Sequence, residues 1–197
     1  MRCVYLPAIS RRVVVGKLTV GSRRLGGVDE IEARTVVYAS PEELYEFLLD
    51  FPGYARYSEY LDRVTQDGDG TPGTRYGLTF SWWKLTYTAR SEVTGTTPPE
   101  RIDWKIVKDI DARGYWQVSA VEPPEGEDAA TEVILHIEFD PESASEGAVD
   151  LPRLVSMGWV IDKVKPLVKK EATRIVRRVV DDIEGEPRDA EVEIRTA

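Results

Sequence analysis

The spacing of apolar residues changes three times along the chain, and each change marks a switch between strand and helix. Residues 29–39 alternate between two faces, with Ile31 and Val37 on the same face, which predicts a strand. The period of two returns after Leu61 and continues to Asp140. Turn-forming residues divide this stretch into strands near 61–67, 73–82, 84–95, 101–108, 112–121 and 130–140. Short turns between successive strands predict one antiparallel sheet of about seven strands.

A short helical region follows the first strand. Ser40 fits the N-cap position, Pro41 the first helical position, and Glu43 completes a capping box. The Pro52-Gly53 pair ends this helix, and a second short helix is predicted to run to about Tyr60. Apolar residues recur at helical spacing along the first of these helices, at Leu44, Phe47, Leu48 and Phe51.

The last part of the chain carries one long apolar stripe at steps of three and four residues. Its members are Met157, Ile161, Val164, Val168, Ala172, Ile175, Val179 and Ile183. This spacing predicts a single helix of about 27 residues. So long a stripe must be buried, and the concave face of a curved sheet is the available partner. We therefore predict an α+β fold in which the sheet wraps a long C-terminal helix and leaves a hollow between them.

Charge divides the chain into three segments. Residues 1–27 are basic and contain no acid, residues 28–185 form the acidic main domain, and residues 186–197 form a polar tail in which Val192 and Ile194 could make an edge strand. The basic segment fits a disordered tail that touches an anionic partner, an added strand, or a stretch upstream of a true start near Val28. It has no apolar run long enough for a secretory signal.

The overall composition is acidic, with a formal net charge of -9. Arginine outnumbers lysine, and a lysine-poor acidic surface keeps a protein soluble in concentrated salt. This favours a cytoplasmic protein of a halophilic archaeon over an ordinary acidic protein. The acidic body argues against nucleic-acid binding, since it has no basic stripe for phosphates.

Few residues are available for metal or cofactor chemistry. Cys3 is the one cysteine and His136 the one histidine, so neither a thiolate site nor a histidine-rich zinc site is expected. We predict no metal and no cofactor. No apolar run approaches the ~20 residues of a membrane-spanning helix.

Four short motifs give the chain a family resemblance. They are Ala39–Tyr45 (ASPEELY), Leu49–Tyr54 (LDFPGY), Thr97–Ile102 (TPPERI) and Gly114–Trp116 (GYW). In this order, over about residues 29–184, they resemble the START-like (SRPBCC, polyketide cyclase/dehydrase and lipid transport) superfamily, with coenzyme Q-binding START-domain proteins most similar. The resemblance implies a helix-grip fold around an apolar cavity. Its members include lipid carriers, quinone-binding chaperones, aromatase/cyclases and a factor that blocks ribosomal subunit association, so function stays open.

Aromatic and apolar side chains are the candidate ligand contacts. Rings offer large apolar area with few rotamers, and tyrosine hydroxyls can hold a ligand oxygen. The alternative is ordinary sheet–helix core. The predicted ligand-binding set is Phe51, Tyr54, Tyr57, Tyr60, Tyr76, Leu78, Phe80, Trp82, Tyr87, Trp104, Trp116, Met157 and Ile161.

An enzyme would need ionisable groups in the same hollow. For a polyketide-type cyclase or dehydratase, Arg90 is the candidate electrophile, and either Asp103 or a tyrosine is the candidate base. Asp103 alternates with Trp104, however, so one of the two faces solvent.

The leading hypothesis is a carrier or chaperone that binds one hydrophobic molecule, a lipid or a polyprenyl quinone of menaquinone type. Cyclase or dehydratase activity is the alternative, and action on a macromolecular assembly such as the ribosome a third. Basic residues on the long helix could touch an anionic membrane, or instead pair with the acidic body: Lys163, Lys169, Lys170, Arg174 and Arg177.

Overall fold

The structure is a computed structural model that describes residues 28–82, 85–143 and 157–196. Of Trp82, Leu85 and residues 157–169 it gives the backbone alone. The predictions for residues 1–27 and for the side chains of Trp82, Met157, Ile161, Lys163 and Lys169 therefore lie outside the described residues. No helix among the described residues is both long enough and apolar enough to cross a membrane.

One antiparallel sheet forms the body of the protein. Its strands are β1 (Asp29–Val37), β2 (Leu61–Asp67), β3 (Arg75–Trp82), β4 (Leu85–Thr97), β5 (Arg101–Ile106), β6 (Asp111–Val121), β7 (Ala130–Asp140) and β8 (Glu193–Thr196). Their order in the sheet is β2-β3-β4-β5-β6-β7-β1-β8. The seven strands predicted from alternation are present, and β8 adds an eighth by pairing with β1 through Ala33 and Ile194. The predicted α+β class is confirmed.

Four helical segments accompany the sheet in the described residues. They are α1 (Pro41–Leu49), 3-10 turns at Phe51–Arg56 and Pro141–Ser143, and α2 (Met157–Glu184), which at 28 residues confirms the predicted long helix. The Ser40 hydroxyl caps α1 by accepting a hydrogen bond from the Glu43 backbone N–H at 3.3 Å. The helical turn after α1 ends at Arg56, earlier than predicted. It stops there because the Ser58 hydroxyl accepts from the backbone N–H groups of Tyr60 and Leu61, which turns the chain into β2.

The buried core joins one face of the sheet to both helices. Ile102, Val118 and Val133 on the sheet pack with Leu44 of α1 and Val180 of α2. We call this face of the sheet the inner face. Strand alternation and register place further side chains on it, namely Tyr76, Leu78, Phe80, Tyr87, Trp104, Trp116, Leu135 and Ile137.

Candidate functional site: the inner face of the sheet

Five aromatic rings form a continuous cluster at the junction of α1, the following 3-10 turn and β3. The Phe51 ring lies 5.1 Å from Tyr54 and 4.5 Å from Tyr76, centroid to centroid. Phe47 extends the cluster, at 5.8 Å from Tyr54 and 5.7 Å from Tyr57. Phe47 was absent from the predicted ligand-binding set, although its place on the apolar stripe of α1 was a usable signal.

Two of the tyrosine hydroxyls in this cluster are occupied by protein partners. The Tyr54 hydroxyl donates to the Leu48 carbonyl at 2.7 Å. The Tyr57 hydroxyl donates to the Asp182 carboxylate of α2 at 2.5 Å and accepts from Arg56, also at 2.5 Å. Burial, and then the charge of nearby Asp50, raises the pKa of Tyr54 well above its usual range. These hydroxyls therefore tie the cluster together and to α2.

The Tyr76 hydroxyl is different, because it is buried and has no partner among the described residues. The Tyr76 side chain is almost completely enclosed, under the ring of Phe51. Burial, followed by the charges of Asp69 and Asp50, raises the pKa of Tyr76. The hydroxyl therefore stays protonated at neutral pH and can donate a hydrogen bond.

Trp104 is a second inner-face residue with an unpartnered polar atom. Its indole Nε1 is buried and has no hydrogen-bond partner in the described part of the chain. The ring lies against Gly114 of β6, where a Cβ would come within 2.6 Å of Cζ2 and 3.0 Å of Cη2. Gly114 was noted in the sequence only as part of a motif, and its close approach to Trp104 could not be deduced from one sequence.

Around the buried core, the inner face continues with side chains that remain partly accessible. Leu78, Tyr87, Trp104 and Trp116 are half-buried, and Phe80 is 37% exposed. Tyr60 is also half-buried, and its backbone carbonyl accepts a hydrogen bond from Ser81. Accessible apolar surface is thus available to a guest molecule beside the core.

The two candidate catalytic residues lie on the opposite, outer face. Arg90 alternates with the core residue Val93 and is exposed. Asp103 alternates with Ile102 and pairs with Arg101 at 2.9 Å. The outer face also holds His136, whose ring stacks on Tyr115 at 4.7 Å. These positions bring neither Arg90 nor Asp103 to the aromatic surface.

The described basic residues of α2 differ in their contacts. Arg174 pairs with Glu59 and with Glu171, the latter at 3.4 Å. Arg177 pairs with Asp189 at 2.6 Å. Lys170 is exposed. Two of the five residues predicted to face a membrane are therefore engaged with acidic groups of the protein.

Glu171, one of the two acidic partners of Arg174, also fixes α2 to the chain that precedes β2. The buried Glu171 carboxylate accepts from the Ser58 hydroxyl at 3.0 Å and from the Glu59 backbone N–H at 2.7 Å.

In the described residues, no group of three or more His, Cys, Asp or Glu side chains is placed to hold a metal ion.

Solved structures with the same architecture share little sequence with this chain. The di-domain ARO/CYC StfQ from the steffimycin biosynthetic pathway is similar at a TM-score of 0.58 and 13% identity, over 80% of this chain and 51% of that one. The chain thus spans about half of StfQ. Zhui aromatase/cyclase from Streptomyces sp. R1128 gives a TM-score of 0.57 and 15% identity, over 80% and 94%. Ara h 8.0201 gives 0.54 and 15%, over 81% and 100%.

No curated protein sequence matches this chain. At such low identity, the similarity to the solved structures shows the fold alone. The sequence does match the family described as polyketide cyclase / dehydrase and lipid transport, and the match covers residues 29–180. By the extent of that match, the chain belongs to the polyketide cyclase / dehydrase and lipid transport family.

Proposed function

We propose that this protein binds one hydrophobic small molecule between the inner face and α2, as a carrier or chaperone. One observation carries the proposal: large apolar side chains of the inner face remain partly accessible beside a well-buried core. Burial of such surface by a ligand contributes about 25 cal/mol per Å². Rings such as Trp104 and Trp116 supply this area at low entropic cost.

Binding without catalysis is favoured by the positions of the charged side chains. Strands β3 to β7, as far as they are described, place no lysine or arginine on the inner face. Arg90 and Asp103 lie on the outer face, where they cannot reach a molecule bound against Trp104. A ligand held there meets rings, aliphatic groups and hydroxyls.

Cyclase or dehydratase activity is the second candidate, and the family and two similar structures favour it. An enzyme of this kind would need a base for an acidic ring proton and donors for the resulting enolate. Tyr76 fits a donor better than a base, because burial raises its pKa. The chemistry would therefore depend on a base outside the set of Arg90 and Asp103.

We further propose a cytoplasmic carrier in a salt-adapted organism, with a polyprenyl quinone as the ligand. The acidic composition supports a salt-adapted cytoplasmic carrier, and the resemblance to quinone-binding members supports a quinone ligand. Transient contact of α2 with an anionic membrane would involve Lys170, together with Lys163 and Lys169.

Organic extraction of natively purified protein, followed by mass spectrometry, tests the proposal. We expect a stoichiometric hydrophobic ligand, or uptake of an added prenylated naphthoquinone. Leu78→Trp adds bulk on the inner face and should reduce that uptake. Thr79→Trp adds the same ring on the outer face of β3 and is the matched control. A protein that carries no ligand and takes up none would contradict the proposal.

Conversion of a reactive poly-β-ketone by the purified protein would instead support the cyclase. In that case Arg90→Ala and Asp103→Asn should leave the rate unchanged, because neither residue reaches the inner face.

A further inference from the structure

The indole N–H of Trp104 and the Tyr76 hydroxyl are the two buried, unpartnered polar groups on the described inner face, and the indole lies beside accessible apolar surface. An indole nitrogen can only donate a hydrogen bond, and buried donors in folded proteins are nearly always paired. Trp104 Nε1 is buried and has no partner among the described residues. The ring is seated on Gly114, so that the space a side chain would fill is occupied by the indole.

The immediate neighbours of Trp104 do not provide an acceptor. Val93 on β4 and Gly114 on β6 are its register partners. Ile102 and Ile106 precede and follow it on the same face of β5. All four lack a polar side chain, so a bound molecule is the natural source of an acceptor.

The charge of that molecule follows from the same surroundings. The described strands β3 to β7 put no lysine or arginine on the inner face. A carboxylate or phosphate bound there would lose its hydration without gaining a counter-charge from these strands, at a high cost in free energy. A plain hydrocarbon would bind but would leave the indole N–H unpaired.

We infer that the ligand is an uncharged hydrophobic molecule with a carbonyl-type oxygen, which accepts a hydrogen bond from Trp104 Nε1. This inference rests on the proposed function and narrows it. It selects ketones, quinones and esters over hydrocarbons and over fatty-acid anions. Trp104 is then a specificity-determining residue, and its ring also contributes apolar contact.

Three probes with one two-ring skeleton test this: 2-methyl-1,4-naphthoquinone, 2-methylnaphthalene and 2-naphthoate. Equilibrium dialysis measures their binding to the full chain, to Trp104→Phe and to the control Trp116→Phe. We expect the wild type to bind the quinone most tightly. Trp104→Phe should weaken quinone binding about two- to twelvefold more than it weakens hydrocarbon binding, the value of one neutral hydrogen bond. Trp116→Phe should weaken both probes equally.

The outcomes distinguish failure of the Trp104 hydrogen bond from failure of the proposed hydrophobic binding. If Trp104→Phe leaves the ratio of quinone to hydrocarbon affinity unchanged, the inference is overturned while hydrophobic binding stands. Tightest binding of 2-naphthoate by the wild type also overturns it. If the wild type binds none of the probes, both the proposed function and the inference fail. The wild-type order of the three affinities needs no variant, so the test survives poor folding of Trp104→Phe.

Discussion

Because Gly114 has no Cβ, the ring of Trp104 can lie against β6. A Cβ there would overlap the His136 carbonyl oxygen and approach Trp104 Cζ2 at 2.6 Å. The carbonyl belongs to a paired strand and cannot move away easily. We therefore expect Gly114→Ala to lower the free energy of unfolding by about 1–3 kcal/mol, as overpacked sites do. Urea unfolding measures the change.

Gly95→Ala is the control for that substitution. Its nearest neighbour would be the Asp103 carboxylate at 3.4 Å, which is an ordinary contact with a side chain that can move. We expect little change in stability. A Gly114→Ala protein as stable as Gly95→Ala would show that the ring of Trp104 does not rest on β6.

The Tyr57 hydroxyl is predicted to contribute to stability through α2. It donates to Asp182 at 2.5 Å from a buried ring. Tyr57→Phe should lower the free energy of unfolding by about 0.5–1.5 kcal/mol, the net value of a typical hydrogen bond. Tyr60→Phe serves as the comparison, because no hydrogen bond of its hydroxyl occurs in the described residues. Equal stability of the two variants would rule out a stabilising bond to Asp182.

Single-residue predictions from sequence succeeded where they depended on strand alternation. Alternation predicted that Asp103 and Trp104 lie on opposite faces of the strand, and the Asp103 side chain does form an outer-face ion pair with Arg101. It could not reveal which polar atoms find partners. The Tyr57–Asp182 bond joins residues 125 positions apart, and nothing in either local sequence indicates it.

At the scale of elements, a partly buried charge pair joins the end of α2 to the end of β1. The Glu184 carboxylate accepts from Arg188 at 2.6 Å and from the Tyr38 backbone N–H at 2.8 Å. Arg188 also donates to the Val36 carbonyl at 2.8 Å. These bonds hold the helix terminus against the strand that precedes α1.

This fastening predicts a loss of stability in acid. Burial alone would raise the pKa of Glu184, but the hydrogen bonds from Arg188 and Tyr38 outweigh it, so the pKa is lowered overall. A carboxyl whose pKa is lower in the folded state stabilises the fold above its unfolded value, about 4.3, and loses that contribution as pH falls through the folded value. We expect Glu184→Gln to be less stable than wild type at pH 7.

The difference in the free energy of unfolding between wild type and Glu184→Gln should shrink below pH 4. Urea unfolding at pH 7, 5 and 3.5 measures it, and Glu186→Gln, an exposed change two residues away, is the control. A Glu184→Gln deficit that stays constant over this range would exclude a contribution from ionised Glu184.

Elements were predictable to different degrees for physical reasons. The strands and α2 have long, regular apolar periods, and their predicted positions match the structure. The turn after α1 was predicted to be longer, because the Ser58 hydroxyl that ends it acts through local hydrogen bonds rather than through hydrophobic period. Strand β8 has a single half-buried apolar residue, Ile194, and four residues are too few for a clear alternation.

At the scale of the whole molecule, the predicted ligand contacts divide into a closed cluster and an accessible surface. Phe51, Tyr54 and Tyr76 pack together, and Tyr57 joins them through Phe47. Trp104 and Trp116 retain accessible surface. The sequence could identify all of these rings as apolar, but their separation depends on how the sheet curves around α2. We therefore place the proposed ligand nearer the tryptophans than the tyrosines.

The net charge of the whole molecule predicts how its stability depends on salt. With 35 acidic residues and a formal charge of -9, the folded chain repels itself at low ionic strength. The Debye length falls from about 10 Å at 0.1 M to about 3 Å at 1 M, so added KCl should relieve that repulsion. Exposed ion pairs such as Arg113–Glu138 will also be screened, but pairs of this kind contribute little. We expect the melting temperature to rise between 0.1 and 1 M KCl.

Potassium sulfate at matched ionic strength separates the two ways in which salt can act. Screening depends on ionic strength and should be common to both salts, whereas exclusion of sulfate from the protein surface adds stability through burial of apolar groups. A rise in melting temperature of similar size in both salts below 0.5 M would support a protein adapted to salt. A melting temperature that is flat or falls in KCl would mean that ion pairs outweigh repulsion, and the acidic composition would then give no support to a halophilic origin.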